Sequence, residues 1–175
     1  MKKKDLMAIL FLIAGMALFH FRYGGPLILL GFGLLAGFCL YHLDHLIYCL
    51  FQAPHELSSQ RIMSYFRQKA WKQALAVVNQ TESERTRTIF HSVVFQVALV
   101  VAGFFVLTSS TGLLGKGMVL GLLFHSVFDQ GTRLVKKESL DSWFWQIKTA
   151  VPENIQKTYF FIVLVVFVLL ATFFV

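Results

Sequence analysis

Six ionisable side chains stand out in a chain otherwise dominated by hydrocarbon: His42, Asp44, His45, His91, His125 and Asp129. Imidazole and carboxylate together suit zinc, manganese or iron. His42 and His45 are three residues apart, and His125 and Asp129 four, so on a helix each pair shares one face. His42, His45, His125 and Asp129 are therefore candidate metal ligands, with His91 assisting, and a divalent metal ion is the candidate cofactor. A metal so held activates water for hydrolysis. The same groups also suit a proton or ion path, because histidine titrates near neutrality and intramembrane acids relay protons. A third reading is a hydrogen-bonded network of neutral imidazoles that only fixes packing. No HExxH or other recognised motif selects among the three, and no catalytic residue is assigned.

The elements that must position these residues are membrane helices. Of 175 residues, 57% are hydrophobic, 15% aromatic and only 14% charged, with 19 phenylalanines. A soluble domain carries about 25% charged residues. This composition excludes a soluble enzyme, a secreted disulfide scaffold and a disordered tail. Five apolar runs read as spans, at 6–21, 26–51, 89–107, 112–128 and 159–175. Several are short against the about 20 helical residues that cross a hydrocarbon core, and terminal lysines and aromatic residues cover the shortfall. Only four residues separate the first two spans, so the first is read as retained and not as a cleaved signal peptide. The expected fold is a single all-α integral membrane domain. Spans one and two, and three and four, form tight hairpins, and a C-terminal span follows.

Orientation follows from the basic residues. With the N-terminus in the cytoplasm, 14 of the 16 lysines and arginines lie on the inner side, leaving Arg22 and Lys116 outside. The expected location is the inner membrane, multi-pass, with the C-terminus outside. The net charge of +7 is accounted for by topology and anionic lipid, with no nucleic-acid partner. Lys116 lies four residues into the fourth span and is read as snorkelling outward. Cys39 and Cys49 form no CxxC motif and read as reduced small hydrophobes.

Two inner segments remain. Residues 58–80 are expected to form one amphipathic helix, capped within Ser58-Ser59-Gln60-Arg61, with Ile62, Phe66, Ala70, Ala74, Leu75 and Val78 at helical spacing. Residues 139–151 are expected to form a second, on Leu140, Trp143, Phe144, Ile147 and Val151.

Small residues mark the expected helix contacts. Gly33 and Gly37 on the second span, and Gly117 and Gly121 on the fourth, both match GxxxG. Steps of four from these glycines reach Tyr41 and His45 on one span, and His125 and Asp129 on the other. Both close-packing stripes therefore descend toward ionisable groups. Such groups cost about 2.5–3.5 kcal/mol each in hydrocarbon, so they are expected to face one another or water.

Taken together, the residues read as a small accessory or assembly protein of the inner membrane that acts through helix–helix contacts. Its expected partners are the lipid bilayer and either a second copy of itself or another membrane protein. The alternatives are a membrane-embedded His/Asp metal-site enzyme or metal or proton transporter, and a homo-oligomeric channel.

Overall fold

The computed structural model describes residues 27–41, 43–81, 85, 87–109 and 112–173, and the regular elements among them are all helical. The expected first span, and His42, lie outside the described residues. Helix α1 is Leu27–Tyr41, and α2, Asp44–Ile47, runs directly into a π-helical turn at Tyr48–Gln52. Helices α3 (Leu57–Arg67) and α4 (Trp71–Gln80) follow, then α5 (Val93–Thr108), α6 (Leu113–Val135) and α7 (Glu153–Phe173).

Among the described residues, two helical runs are long and apolar enough to cross a membrane: Ile28–Gln52, with 25 residues, and Glu153–Thr172, with 20. Helix α5 is apolar but has only 16 residues. Helix α6 has 23, but it carries Lys116, Asp129 and Arg133.

The four expected packing glycines all lie at the α1–α6 contact. A Cβ on Gly33 would overlap the carbonyl oxygen of Leu114, and one on Gly37 that of Met118. Conversely, a Cβ on Gly117 would overlap the carbonyl oxygen of Leu30, and one on Gly121 that of Leu34. The register advances in the same sense on both helices, so α1 and α6 run parallel with their backbones in contact. Helix α5 runs antiparallel to α6, with Gln96 beside Gln130 and Gly103 beside Val119. So does α7, with Phe160 beside Gly131 and Phe167 against Phe124. Leu30, Leu34, Leu99, Leu120, Leu123, Val163 and Phe167 fill the space between these four helices.

The two segments expected to be amphipathic helices differ from expectation. Residues 58–80 form two helices broken at Gln68–Ala70, where Lys69 adopts φ +57°. Neither Gly nor Pro marks this break. A left-handed Lys69 ends α3 because its N–H reaches back to the Phe66 carbonyl while that of Ala70 reaches Tyr65. The expected serine cap is also displaced, since α3 begins at Leu57 after Glu56, with no side-chain cap bond. The hairpin packs Ile62, Val77 and Val78 against Tyr48 and Cys49.

Residues 139–151 are not an amphipathic helix. They form a strap with one 3-10 turn at Asp141–Trp143. Lys137, at φ +58°, ends α6, and the Gln156 side chain then captures the strap from α7. Gln156 Oε1 accepts from the Leu140 N–H at 3.0 Å, while its Nε2 donates to Asp141 Oδ1 at 2.7 Å and to the Val151 carbonyl at 2.9 Å. Satisfying these groups from outside removes the demand for a helical ladder. The apolar residues read as a helix face are used one by one, Leu140, Trp143 and Phe144 packing with Tyr41. Cys39 and Cys49 are both free thiols, the first exposed and the second buried.

Candidate functional site

The site forms where α1 ends. Tyr41 closes that helix, and Asp44 opens α2 with its side chain fully buried. An isolated buried carboxylate is costly, so its surroundings must supply donors. The stretch before α5 does so. Oδ2 of Asp44 accepts from the backbone N–H of Phe90 at 2.9 Å and of His91 at 3.3 Å. This corrects the expected start of the third span. Phe90 and His91 turn their N–H groups onto Asp44, and the helix starts at Val93, with Ser92 as its N-cap accepting from Phe95 N.

His91 completes the arrangement. Its Nδ1 is 3.0 Å from Asp44 Oδ2 and 3.2 Å from Thr88 Oγ1. Oδ2 already accepts from two backbone N–H groups, so the Nδ1 contact reads as a third donation to it, the tautomer that leaves Nε2 to act as base or ligand. Asp44 Oδ1 is buried and accepts no hydrogen bond from any described residue.

Around this pair the other candidate residues gather. The His45 and His125 ring centroids lie 5.7 Å and 6.2 Å from that of His91. His125 stacks on Tyr41 at 4.3 Å and 15°, and the Tyr41 hydroxyl donates to the Phe90 carbonyl. Asp129 is ion-paired to Arg133 at 3.0 Å and lies close enough to interact electrostatically with both His91 and His125. Thus Asp44, His45, His91, His125 and Asp129 converge on one region from α2, the α5 entry and α6. Of the six candidates, His42 alone lies outside the described residues. No three of the described His, Cys, Asp or Glu side chains are arranged to hold a metal ion.

The strap closes one side. Trp143 is fully buried, with its ring edge-on to His91 at 5.5 Å and 63°. Trp145 Nε1 donates to the Thr88 carbonyl at 3.1 Å. Arg133 Nη1 donates to Ser142 Oγ at 3.3 Å, tying the strap to the Asp129 ion pair. Outside the membrane runs, hydrogen bonds from Ser139 and Gln156 hold the Asp141 carboxyl below the usual carboxylate range.

A second buried polar group lies deeper in the bundle. Gln96 Oε1 accepts from Gln130 Nε2 at 2.8 Å and from the Tyr159 hydroxyl at 2.6 Å, and Gln96 Nε2 donates to Ser126 Oγ at 3.0 Å. It links α5, α6 and α7 by neutral groups, each of them paired, and so reads as structural.

Sequence spacing brought out the ionisable residues but not Thr88, Trp143, Gln130 or Tyr159. The one available signal was Tyr41, which continues the Gly33–Gly37 stripe toward His45. No protein-family model, curated protein or solved structure matches the chain, so the reading of this site rests on its own residues.

Proposed function

We propose that this chain is a multi-pass inner-membrane protein whose working centre is the His/Asp cluster, and that this centre takes up a divalent metal ion. One observation carries the reading: Asp44 holds His91 through Nδ1. Histidines that ligate metals almost always donate their other ring nitrogen to a carboxylate or carbonyl, which fixes the tautomer and raises the basicity of the free nitrogen. His91 Nε2, His125 and Asp129 would supply ligands, with His45 on the facing element. Loading requires the imidazoles to turn from the positions described, since no three donors are yet arranged round one point. A metal at this depth would polarise a bound water for hydrolysis or pass through as cargo.

A five-span, N-in topology is part of the proposal. The parallel α1–α6 pair, with α5 and α7 antiparallel to it, is the up-down order that such a topology requires.

The second reading is an assembly subunit acting through helix contacts. It is favoured by the apolar residues that α7 leaves exposed, among them Phe161, Ile162 and Val165. The GxxxG glycines no longer serve it, because all four are buried against α1 or α6 of the same chain.

The test is elemental analysis of protein purified in mild detergent, without chelator or affinity histidines. Near-stoichiometric zinc, manganese or iron is expected, lost in His91→Ala and His125→Ala variants of unchanged helical content. No bound metal, even after incubation with each ion, would overturn the metal reading and leave the assembly reading.

A further inference from the structure

We infer that the α3–α4 hairpin is a docking surface for the anionic phospholipid headgroups of the leaflet it lies against. The inference uses the membrane placement above but not the metal site. Between Leu57 and Thr81 the chain carries Arg61, Arg67, Lys69 and Lys72 and not one aspartate or glutamate. All four basic side chains are exposed. They stand away from the buried stripe of Ile62, Ala74, Val77 and Val78 that faces the base of the first long helical run.

Beside the charges lies an apolar flank left uncovered by that packing. Trp71 is 58% exposed and Leu75, one turn on, is 52% exposed. Leu57 is 85% exposed at the start of α3, and Phe51, at the end of the π-turn, is 77% exposed. Trp71 leans edge-on against Phe66, 5.2 Å between centroids, which holds the indole at the hairpin corner next to Lys69 and Lys72. Basic groups beside exposed tryptophan and leucine match a headgroup layer, where cations meet phosphate and indole sits at the boundary with the acyl chains. Leu50 and Phe51, exposed as well, close a run long and apolar enough to cross the membrane, and α3 begins five residues beyond its end. The surface therefore meets lipid before any other partner. Each lysine or arginine near an anionic surface adds to the attraction, so four together distinguish charged from neutral lipid.

The experiment places the full chain in nanodiscs of pure phosphatidylcholine or of phosphatidylcholine with 30% phosphatidylglycerol. Amide hydrogen exchange is then followed over residues 57–81. Exchange at least fivefold slower with phosphatidylglycerol is expected, with the difference lost at about 0.5 M salt, where the screening length falls to a few ångströms. The same difference should vanish in an R61Q/R67Q/K69Q/K72Q variant, whose exchange in α5–α7 reports that the bundle is still folded. Equal exchange in both lipids would overturn the inference, as would a difference that survives in the variant. If the variant bundle does not fold, Trp71→Ala decides between the two outcomes: retained lipid discrimination with weaker protection supports the surface, and unchanged protection refutes it.

Discussion

The Nδ1 of His91 sits 3.0 Å from Oδ2 of Asp44, 47 positions away along the chain. That single contact joins the end of the α1 run to the entry of α5, and it also sets which imidazole nitrogen faces the cluster. Asp44 thereby acts on structure and on chemistry. Removing its side chain leaves the Phe90 and His91 donors in a buried place without an acceptor. Asp44→Ala should cost about 1–3 kcal/mol for each donor so stranded. Asp44→Asn keeps an acceptor and should cost less. Thermal unfolding in detergent orders the two variants, and equal losses would mean that a neutral acceptor cannot replace the carboxylate at this position.

The glycine contacts give a sharper steric test. Gly37→Ala and Gly121→Ala drive a methyl group into the carbonyls of Met118 and Leu34. Overpacking of this kind costs about 1–3 kcal/mol, and more where only backbone can give way. Gly31 lies on the same helix with open space at its Cβ position. Gly31→Ala should therefore leave stability unchanged or raise it by up to about 1 kcal/mol. A destabilisation common to all three would point to helix bending and not to the α1–α6 approach.

The Gln96 network predicts non-additivity. Gln96→Leu strands the Gln130 amide and the Tyr159 hydroxyl, at about 1–3 kcal/mol for each buried unpaired group. Adding Gln130→Leu removes one of the stranded partners, so the double variant should be less unstable than the sum of the singles. A double-mutant cycle in denaturant would read this as a coupling of about 1 kcal/mol or more. Strict additivity would contradict the hydrogen bonds described.

The strap should loosen in acid. The Asp141 carboxyl is held below its ordinary range by Ser139 and Gln156, so its folded pKa lies below its unfolded one. Its contribution is present in full above about pH 4–5, where the unfolded group is also ionised, and is lost as pH falls through the lower folded value. Hydrogen exchange over residues 139–151 should accelerate as pH is lowered through that window, after correction for intrinsic rates. In Gln156→Leu it should be fast already at neutral pH. An unchanged profile in that variant would mean that the aromatic contacts of Trp143 and Phe144 hold the strap alone.

How far the sequence disclosed this arrangement depended on whether the signal was periodic. Steps of four from Gly33 and Gly117 ran down one face of each helix to ionisable groups, and the two faces meet in the folded chain. All-helical structure was equally legible, because long apolar runs leave the backbone little alternative. His91 was legible as an ionisable residue at the edge of an apolar run, but its pairing with Asp44 was not. That contact depends on a non-helical entry at residues 89–92, which no pattern announces. The strap was misread because Leu140, Trp143, Phe144, Ile147 and Val151 keep helical spacing. The competing fact was Gln156, a lone amide in the next helix that satisfies the strap's backbone from outside. The break at Lys69 was likewise silent, since lysine rarely adopts positive φ.

The most direct test of the central claim is X-ray absorption at the metal edge of the loaded, full-length protein in detergent. With zinc, the site proposed here predicts a first shell of nitrogen and oxygen only, at about 2.0–2.2 Å, with the outer-shell scattering of at least two imidazoles. Loss of one imidazole contribution in His125→Ala should accompany it. A sulfur shell near 2.3 Å would instead assign the ion to Cys39 or Cys49. That result, or a spectrum of fully hydrated zinc, would contradict a His/Asp centre at the end of α1.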